Sequence, residues 1–129
     1  MQGIGRYRAS RLESAPPQQI VLMLFQEAAR RLTLAADAIE RNDGTVWRPH
    51  LHHVREIFLE LLSALDDDAA PELCANLRSL YRWCIHELVT AGRTNSAQCV
   101  LNVLRVTNSL LEGWQGALNS DELADQKTG

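Results

Sequence analysis

The stretch that decides the fold is residues 72–91, ELCANLRSLYRWCIHELVTA. Its apolar residues recur every three or four positions, which is the spacing of one face of an α-helix and not the alternation of a strand. Gly92 follows directly and predicts the end of this helix. The residues expected on its core-facing side are Leu73, Leu77, Tyr81, Cys84, Leu88 and Ala91.

Two segments on the N-terminal side show the same helical spacing. The first begins after Pro16 and Pro17, and it ends at Asn42-Asp43-Gly44, where glycine would take the left-handed cap conformation. The second is expected to begin near Val46, because Pro49 has to lie in its first turn. Their core-facing residues are Val21, Leu24, Ala28, Leu32, Ala35 and Ile39, and then Leu51, Val54, Phe58, Leu62 and Leu65.

A fourth helix follows the decisive stretch. Asn95 and Gln98 have the spacing of a capping box and predict its start. The acidic run at residues 66–68 favours the N-terminus of the preceding helix, where the helix dipole attracts carboxylates. From Asn119 onward the chain turns polar, so residues 119–129 are expected to form a disordered C-terminal tail. The core-facing residues of the fourth helix are Val100, Leu104, Thr107, Leu111, Trp114 and Leu118.

Four helices of similar length, joined by short connections, predict an all-α fold. The expected architecture is an antiparallel up-down four-helix bundle that forms a single domain over residues 1–129. Residues 1–13 are expected to be a mobile N-terminal segment that packs on or near the bundle.

Composition limits the possible functions. A net charge of −3 gives no reason to expect a nucleic-acid partner, and the three arginines before Ser14 make a weak basic footprint. The longest apolar run, residues 20–25, is far shorter than a membrane span, so we expect no membrane insertion. Three cysteines without C-x-x-C spacing are typical of reduced thiols in a cytoplasmic protein.

His50, His52 and His53 form the one cluster that suggests chemistry. A zinc site needs further ligands at suitable spacing, and the sequence has no H-E-x-x-H motif and no Cys/His pairing. Phosphate loops, nucleophile elbows and calcium loops are also missing from the sequence. We therefore expect no catalytic residues, no metal and no cofactor, and we interpret the chain as a binding protein and not an enzyme.

Some apolar residues fall outside the stripe, about a hundred degrees wide, that a bundle helix needs for its core. They could form grooves for an amphipathic partner helix, could be covered by the N-terminal segment, or could be scattered exposed residues of the ordinary kind. One set lies on the first and fourth helices: Ile20, Met23, Leu34, Val103, Val106 and Leu110. A second patch on the third helix consists of Asn76, Leu80 and Trp83.

A series of short motifs runs in a fixed order over residues 3–118. They are Gly3-Ile4, Tyr7, Ser14-Ala15-Pro16, the run at residues 20–25, Ala38-Ile39, Asn42-Asp43, Leu65-Asp66, residues 72–77, Leu80-Tyr81, Trp83, Leu88, Ala91, Asn95 and Trp114. Their order resembles the flagellar secretion chaperone FliS family. Two positions depart from the family pattern, Gln26-Glu27 in place of Asp-Gly and Ala69-Ala70-Pro71 in place of a glycine-rich turn.

The resemblance implies a cytoplasmic chaperone that binds the disordered C-terminal segment of flagellin, prevents premature polymerisation and delivers the client to the flagellar type III export gate. By resemblance, Ile4 and Tyr7 belong to a movable segment that covers a client groove or engages the export gate. The first set of surplus apolar residues would then bind the client, and the patch on the third helix a second partner. The alternative is a helical adaptor that binds another flagellar protein or an anti-sigma factor, and the chain itself would be a monomer or a weak homodimer.

Overall fold

A computed structural model describes the backbone of residues 17–128 and the side chains of residues 17–120. Four α-helices follow one another over this range, with no strand among the described residues. They are α1 (Pro17–Glu40), α2 (Gly44–Ser63), α3 (Pro71–Thr94) and α4 (Ala97–Thr128). The expected mobile segment at residues 1–13 lies outside the described residues.

Each helix packs against its neighbours in the chain, and α4 returns to pack against α1, so the four helices surround one core. The Trp114 indole Nε1 donates a hydrogen bond to the Gln18 carbonyl oxygen at 2.9 Å, which places the C-terminal half of α4 beside the start of α1. Asn102 Nδ2 donates to Glu87 Oε2 at 3.4 Å and places the start of α4 beside the end of α3. The predicted all-α antiparallel four-helix bundle is confirmed.

Four aromatic rings cross the centre of the core in a row, Phe58, Tyr81, Phe25 and Trp114. Successive ring centroids lie 5.9, 6.5 and 6.4 Å apart, within the range for favourable tilted and edge-to-face contacts. Burial raises the pKa of the Tyr81 hydroxyl to about 12 and that of the neighbouring Cys84 thiol to about 12. Both groups therefore stay neutral at physiological pH.

Asparagines, and not glycines, take the left-handed conformation where α1 and α3 end. Asn42 has φ 57° and Asn95 has φ 54°, whereas Gly44 is already part of α2 and α3 continues through Gly92. Asparagine is the non-glycine residue that tolerates this conformation best. The predicted helix ends at glycine were therefore wrong by two or three residues.

The starts of α2 and α4 also differ from the predictions. The carbonyl of Asp43 accepts hydrogen bonds from the amides of Val46 and Trp47, both at 3.1 Å, and buried Trp47 anchors this first turn. The helix thus begins before Val46, and Pro49 lies inside it. At the start of α4, the Ser96 hydroxyl oxygen accepts a hydrogen bond from the Cys99 amide at 3.1 Å, one residue after the predicted cap.

The remaining differences concern polar segments. The carboxylate run at residues 66–68 lies in the connection before α3, where Asp67 bonds to Arg78 at 2.9 and 3.0 Å. The backbone of α4 is helical to Thr128, although the sequence predicts disorder from Asn119. Within the described residues, no helix is long and apolar enough to cross a membrane.

Candidate functional site

Exposed apolar residues of a family-matching motif lie on the flank of α3 that is turned toward α4. The hydrogen bond between Glu87 and Asn102 marks the line along which the two helices meet. Steps of three and four residues back from Glu87 along α3, and forward from Asn102 along α4, stay on the facing flanks of the two helices. We call the surface between these two flanks the α3–α4 groove. Its residues are Leu73, Asn76, Leu80, Trp83, Val106 and Leu110.

The α3 wall of the groove is apolar and open to solvent. Trp83 keeps 40% of its surface exposed and Leu73 keeps 55%, while Leu80 is half-buried between them and Asn76 is exposed. Large apolar side chains left this exposed in a row are uncommon on a monomeric soluble protein and are typical of a binding surface. Tryptophan is the residue most enriched at the energetic centre of such surfaces.

On the α4 side of the groove, the apolar side chains are half-buried and the surface is open beyond them. Val106 and Leu110 are half-buried and pack against the core, so only their outer atoms reach the groove. A Cβ atom at Gly113 or Gly116 would meet no heavy atom within 4 Å, because the surface is open at both positions. The sequence analysis placed Val106 and Leu110 in one set and the α3 patch in another; helical spacing from the Glu87–Asn102 hydrogen bond places both sets on the facing flanks of α3 and α4.

Two residues of the predicted client-binding set lie in the interior. Val103 is fully buried in the core between Val100 and Thr107, and Ile20 is buried beside Leu61 where α1 meets α2. Their position in an outer groove was therefore wrong, because both helices present a wider core-facing arc than one stripe. Ile20 does border a small surface pocket of about 190 Å³.

Met23 and Leu34 lie on the flank of α1 that faces α2, but they do not form one groove. Between them the Glu27 carboxylate binds Arg30 at 2.6 Å and Arg31 at 2.8 Å, and Arg31 Nη1 lies 3.3 Å from His50 Nδ1. Leu34 is therefore an isolated exposed residue at 40%, and half-buried Met23 lies on the other side of this polar network. Ile4 and Tyr7 lie outside the described residues.

The polar network shifts the pKa values of its acidic group and of the neighbouring histidines downward, and it raises the pKa of Arg30 through the hydrogen bond to Glu27. Burial would raise the pKa of the Glu27 carboxyl, but its hydrogen bonds to Arg30 and Arg31 outweigh burial and lower it below 4.5. Burial and the neighbouring guanidinium of Arg31 lower the pKa of His50 and of His53 below the ordinary 6.5. Residues 17–120 contain no cluster of His, Cys, Asp or Glu side chains that could hold a metal ion.

These shifts predict a bundle that loses stability on acidification. Both histidines bind protons more readily in the unfolded chain than in the folded one, so their contribution is complete above pH 6.5 and is lost as the pH falls below it. Glu27 acts in the same direction below pH 4.5. We expect the urea midpoint to fall between pH 7.5 and pH 5.5, and this fall to shrink in the double variant His50→Gln/His53→Gln. Equal pH dependence in both proteins would contradict the assignment.

Sequence reasoning missed Leu73 as a surface residue and assigned it to the core. Leu73 follows Pro71 by two residues, in the first turn of α3, where the bundle is already opening. It also missed Leu59 and Val89, which are 42% and 44% exposed on the flanks of α2 and α3. Each directly follows a core residue, Phe58 or Leu88, and therefore lies about 100° around the helix from it, outside the core stripe.

Comparisons with known proteins identify relatives of this chain over most of its length. The chain is 30% identical over 108 residues to the flagellar secretion chaperone FliS of Campylobacter jejuni, covering 84% of each chain. It is 31% identical over 107 residues to the flagellar secretion chaperone FliS of Salmonella typhimurium, covering 82% of this chain and 79% of the relative.

A solved structure described as a flagellar chaperone from bacteria has the same fold. It superposes with a TM-score of 0.76 at 21% identity, over 93% of this chain and 98% of its own. The family model described as flagellar protein FliS matches residues 1–121, which is nearly the whole chain. The match of the family model and the two relatives show that the chain belongs to the flagellar protein FliS family.

Proposed function

We propose that this protein is a cytoplasmic export chaperone that binds the disordered C-terminal segment of flagellin, prevents its premature polymerisation and delivers it to the flagellar type III export gate. The observation that supports this proposal most is the α3–α4 groove, in a chain whose relatives are flagellar secretion chaperones. The proposed activity is the binding and release of the client. No bond is made or broken, and the family is one of chaperones.

The groove suits an apolar helix-forming client. A flagellin segment that forms helices in the filament exposes their apolar faces before assembly, and Leu73, Leu80 and Trp83 offer a substitute surface. Ordering a disordered segment costs about 2–5 kcal/mol or more of the gross interaction energy. The contacts in one short groove are too few to outweigh this ordering cost by a wide margin. The client therefore wraps farther around the bundle, where half-buried Met23 and exposed Leu34 on α1 offer separate contacts.

The N-terminal segment, the export gate and an alternative partner also have a part in this proposal. The role we propose for Ile4 and Tyr7, by resemblance, is to cover a client surface in the free protein or to engage the export gate. An adaptor role toward another flagellar protein or an anti-sigma factor is the alternative for the same surface. Deleting residues 1–13 tests the role of the N-terminal segment. Binding of the client and of the gate protein would change only if the segment takes part.

Calorimetric titration with the C-terminal segment of flagellin from the same genome tests the proposal. We expect saturable one-to-one binding with a negative heat-capacity change, which marks the burial of apolar surface. A folded protein, with its helical circular dichroism intact, that releases no heat at several temperatures and does not co-migrate with the segment would refute the flagellin assignment.

A further inference from the structure

The arginines that lack a carboxylate partner are concentrated on one face of the bundle. Among residues 17–120, Arg30, Arg31, Arg41 and Arg78 form ion pairs with Glu27, Asp37 or Asp67. Arg48 and Arg55 on α2, Arg82 and Arg93 on α3, and Arg105 on α4 have no such partner within the described part of the chain. Four of these five therefore belong to the α2–α3 pair, in a protein whose net charge is −3.

These arginines form two matching stripes. On α2, Arg48, His52, Arg55 and Leu59 follow the spacing i, i+4, i+7 and i+11, which keeps them on one flank of a helix. The residues Arg82, His86, Val89 and Arg93 repeat the same spacing on α3. Each stripe extends over about 16 Å of helix. Because α2 and α3 are antiparallel neighbours, Arg48 lies near the same end of the bundle as Arg93, and Leu59 near the same end as Arg82.

An apolar groove runs between the two stripes. Its volume is about 220 Å³, and Trp47, Arg48, Leu51, His52, Arg55, Leu88, Val89 and Gly92 line it. The Arg48 guanidinium lies 4.3 Å from the centroid of the Trp47 ring, a cation–π arrangement that holds this charge at the rim. A Cβ atom at Gly92 would meet nothing within 4 Å, so the missing side chain helps keep the groove open. Glu56 lies beside the α2 stripe, 3.8 Å from His52.

We propose that this α2–α3 groove binds an acidic amphipathic helix of a partner protein, with apolar side chains in the groove and carboxylates on the arginine stripes. Charge complementarity identifies the occupant: Arg48 and Arg55 line a groove floored by Trp47, Leu51 and Leu88, and Arg82 and Arg93 add positive charge on the outer flank of α3. Arginine suits this task, because its planar guanidinium binds carboxylates through two hydrogen bonds at once. The site is separate from the proposed client groove, which lies on the other flank of α3.

The same features argue against the other polyanions. A single-stranded nucleic acid would stack its bases on exposed aromatic rings. At this surface Trp47 is buried, and the exposed apolar residues are Leu59 and Val89. An anionic membrane attracts a cluster of basic residues, but stable attachment requires an inserted apolar face or a lipid chain as well. A groove floored by buried apolar side chains and edged by charges fits a protein helix.

The test uses the full chain and a fluorescently labelled synthetic helix of about 18 residues, long enough to cover both stripes. Its apolar residues would follow the i, i+3, i+4 and i+7 spacing, with glutamates on both flanks. We expect saturable binding by fluorescence anisotropy, weakened about tenfold when the glutamates are replaced by glutamine. In the protein, Arg48→Glu/Arg55→Glu should weaken binding by at least about tenfold. The matched control Arg105→Glu removes an exposed, carboxylate-free arginine on α4 and should bind as the wild type does.

A second variant tests the groove without changing charge. Gly92→Leu places a side chain into the open space and should weaken binding of the acidic helix while the thermal midpoint stays the same or rises, since glycine inside a helix is destabilising. Equal binding of the glutamate and glutamine peptides, or unchanged binding in either groove variant, would overturn the proposal. Tighter binding of a single-stranded oligonucleotide or of anionic vesicles, lost in Arg48→Glu/Arg55→Glu, would overturn it in favour of a nucleic acid or a membrane surface.

Discussion

Replacing Phe25 by alanine is expected to lower the free energy of unfolding by about 3–5 kcal/mol, a large part of the stability of a domain of this size. Phe25 is 1% exposed, and its ring contacts both Tyr81 and Trp114, so it joins α1 to α3 and to α4 at once. Its loss would leave a cavity between three helices that cannot close without moving one of them. The measurement is the urea midpoint followed by circular dichroism.

Two matched variants separate the cavity from a general effect of alanine on α1. Phe25→Leu keeps most of the apolar volume and should lose less stability than Phe25→Ala. Leu34→Ala changes an exposed residue of the same helix and should stay within about 0.5 kcal/mol of the wild type. If Phe25→Ala and Leu34→Ala unfold at the same urea concentration, the row of rings does not hold the bundle together as described.

Periodicity predicts most of this core because each helix must bury one stripe of side chains. Ala28, Leu32, Val54, Phe58 and Cys84, all expected inside, are fully buried. The helix ends were predicted less well, since several residues near each end can cap a helix. Asn42 and Asn95 compete for the left-handed position with glycines two or three residues away. The asparagines are favoured because the amides that follow them, those of Asp43 and Ser96, then donate hydrogen bonds to the carbonyls of Ala38 and Ala91.

The candidate site could be predicted only in part. Counting positions around a single helix identifies Val103 and Ile20 as lying off the central stripe, but it cannot show that a neighbouring helix covers them. The reverse holds for Leu73, whose spacing fits the core although the bundle leaves it 55% exposed. Which flanks meet depends on the order of the helices around the core, and this order is fixed by contacts between residues far apart in the chain.

The order of the helices around the core gives α3 two roles. Its core stripe holds Tyr81 and Cys84 inside the bundle, while its two flanks form one wall of each surface groove. The flank with Trp83 is apolar and faces α4, whereas the flank with Val89 carries arginines and faces α2. Two chemically different partners could therefore bind at the same time without sharing a contact residue.

Replacing Trp83 by alanine is expected to weaken binding of the flagellin segment by about thirtyfold or more, the loss typical of an interface hot spot. Trp83 is 40% exposed at the middle of the α3–α4 groove, so its removal takes away a large apolar contact and leaves the core intact. The unfolding free energy should change by no more than about 0.5 kcal/mol.

The matched control lies on the opposite flank of the same helix. Val89→Ala removes an apolar side chain of similar exposure, 44%, from the wall of the α2–α3 groove. Calorimetric titration with the flagellin segment should therefore give a nearly wild-type affinity for Val89→Ala and a much lower one for Trp83→Ala. Equal affinities in both variants, when the wild type binds, would place the client elsewhere on the bundle. A larger loss in Val89→Ala would assign the client to the basic groove and exchange the roles of the two flanks of α3.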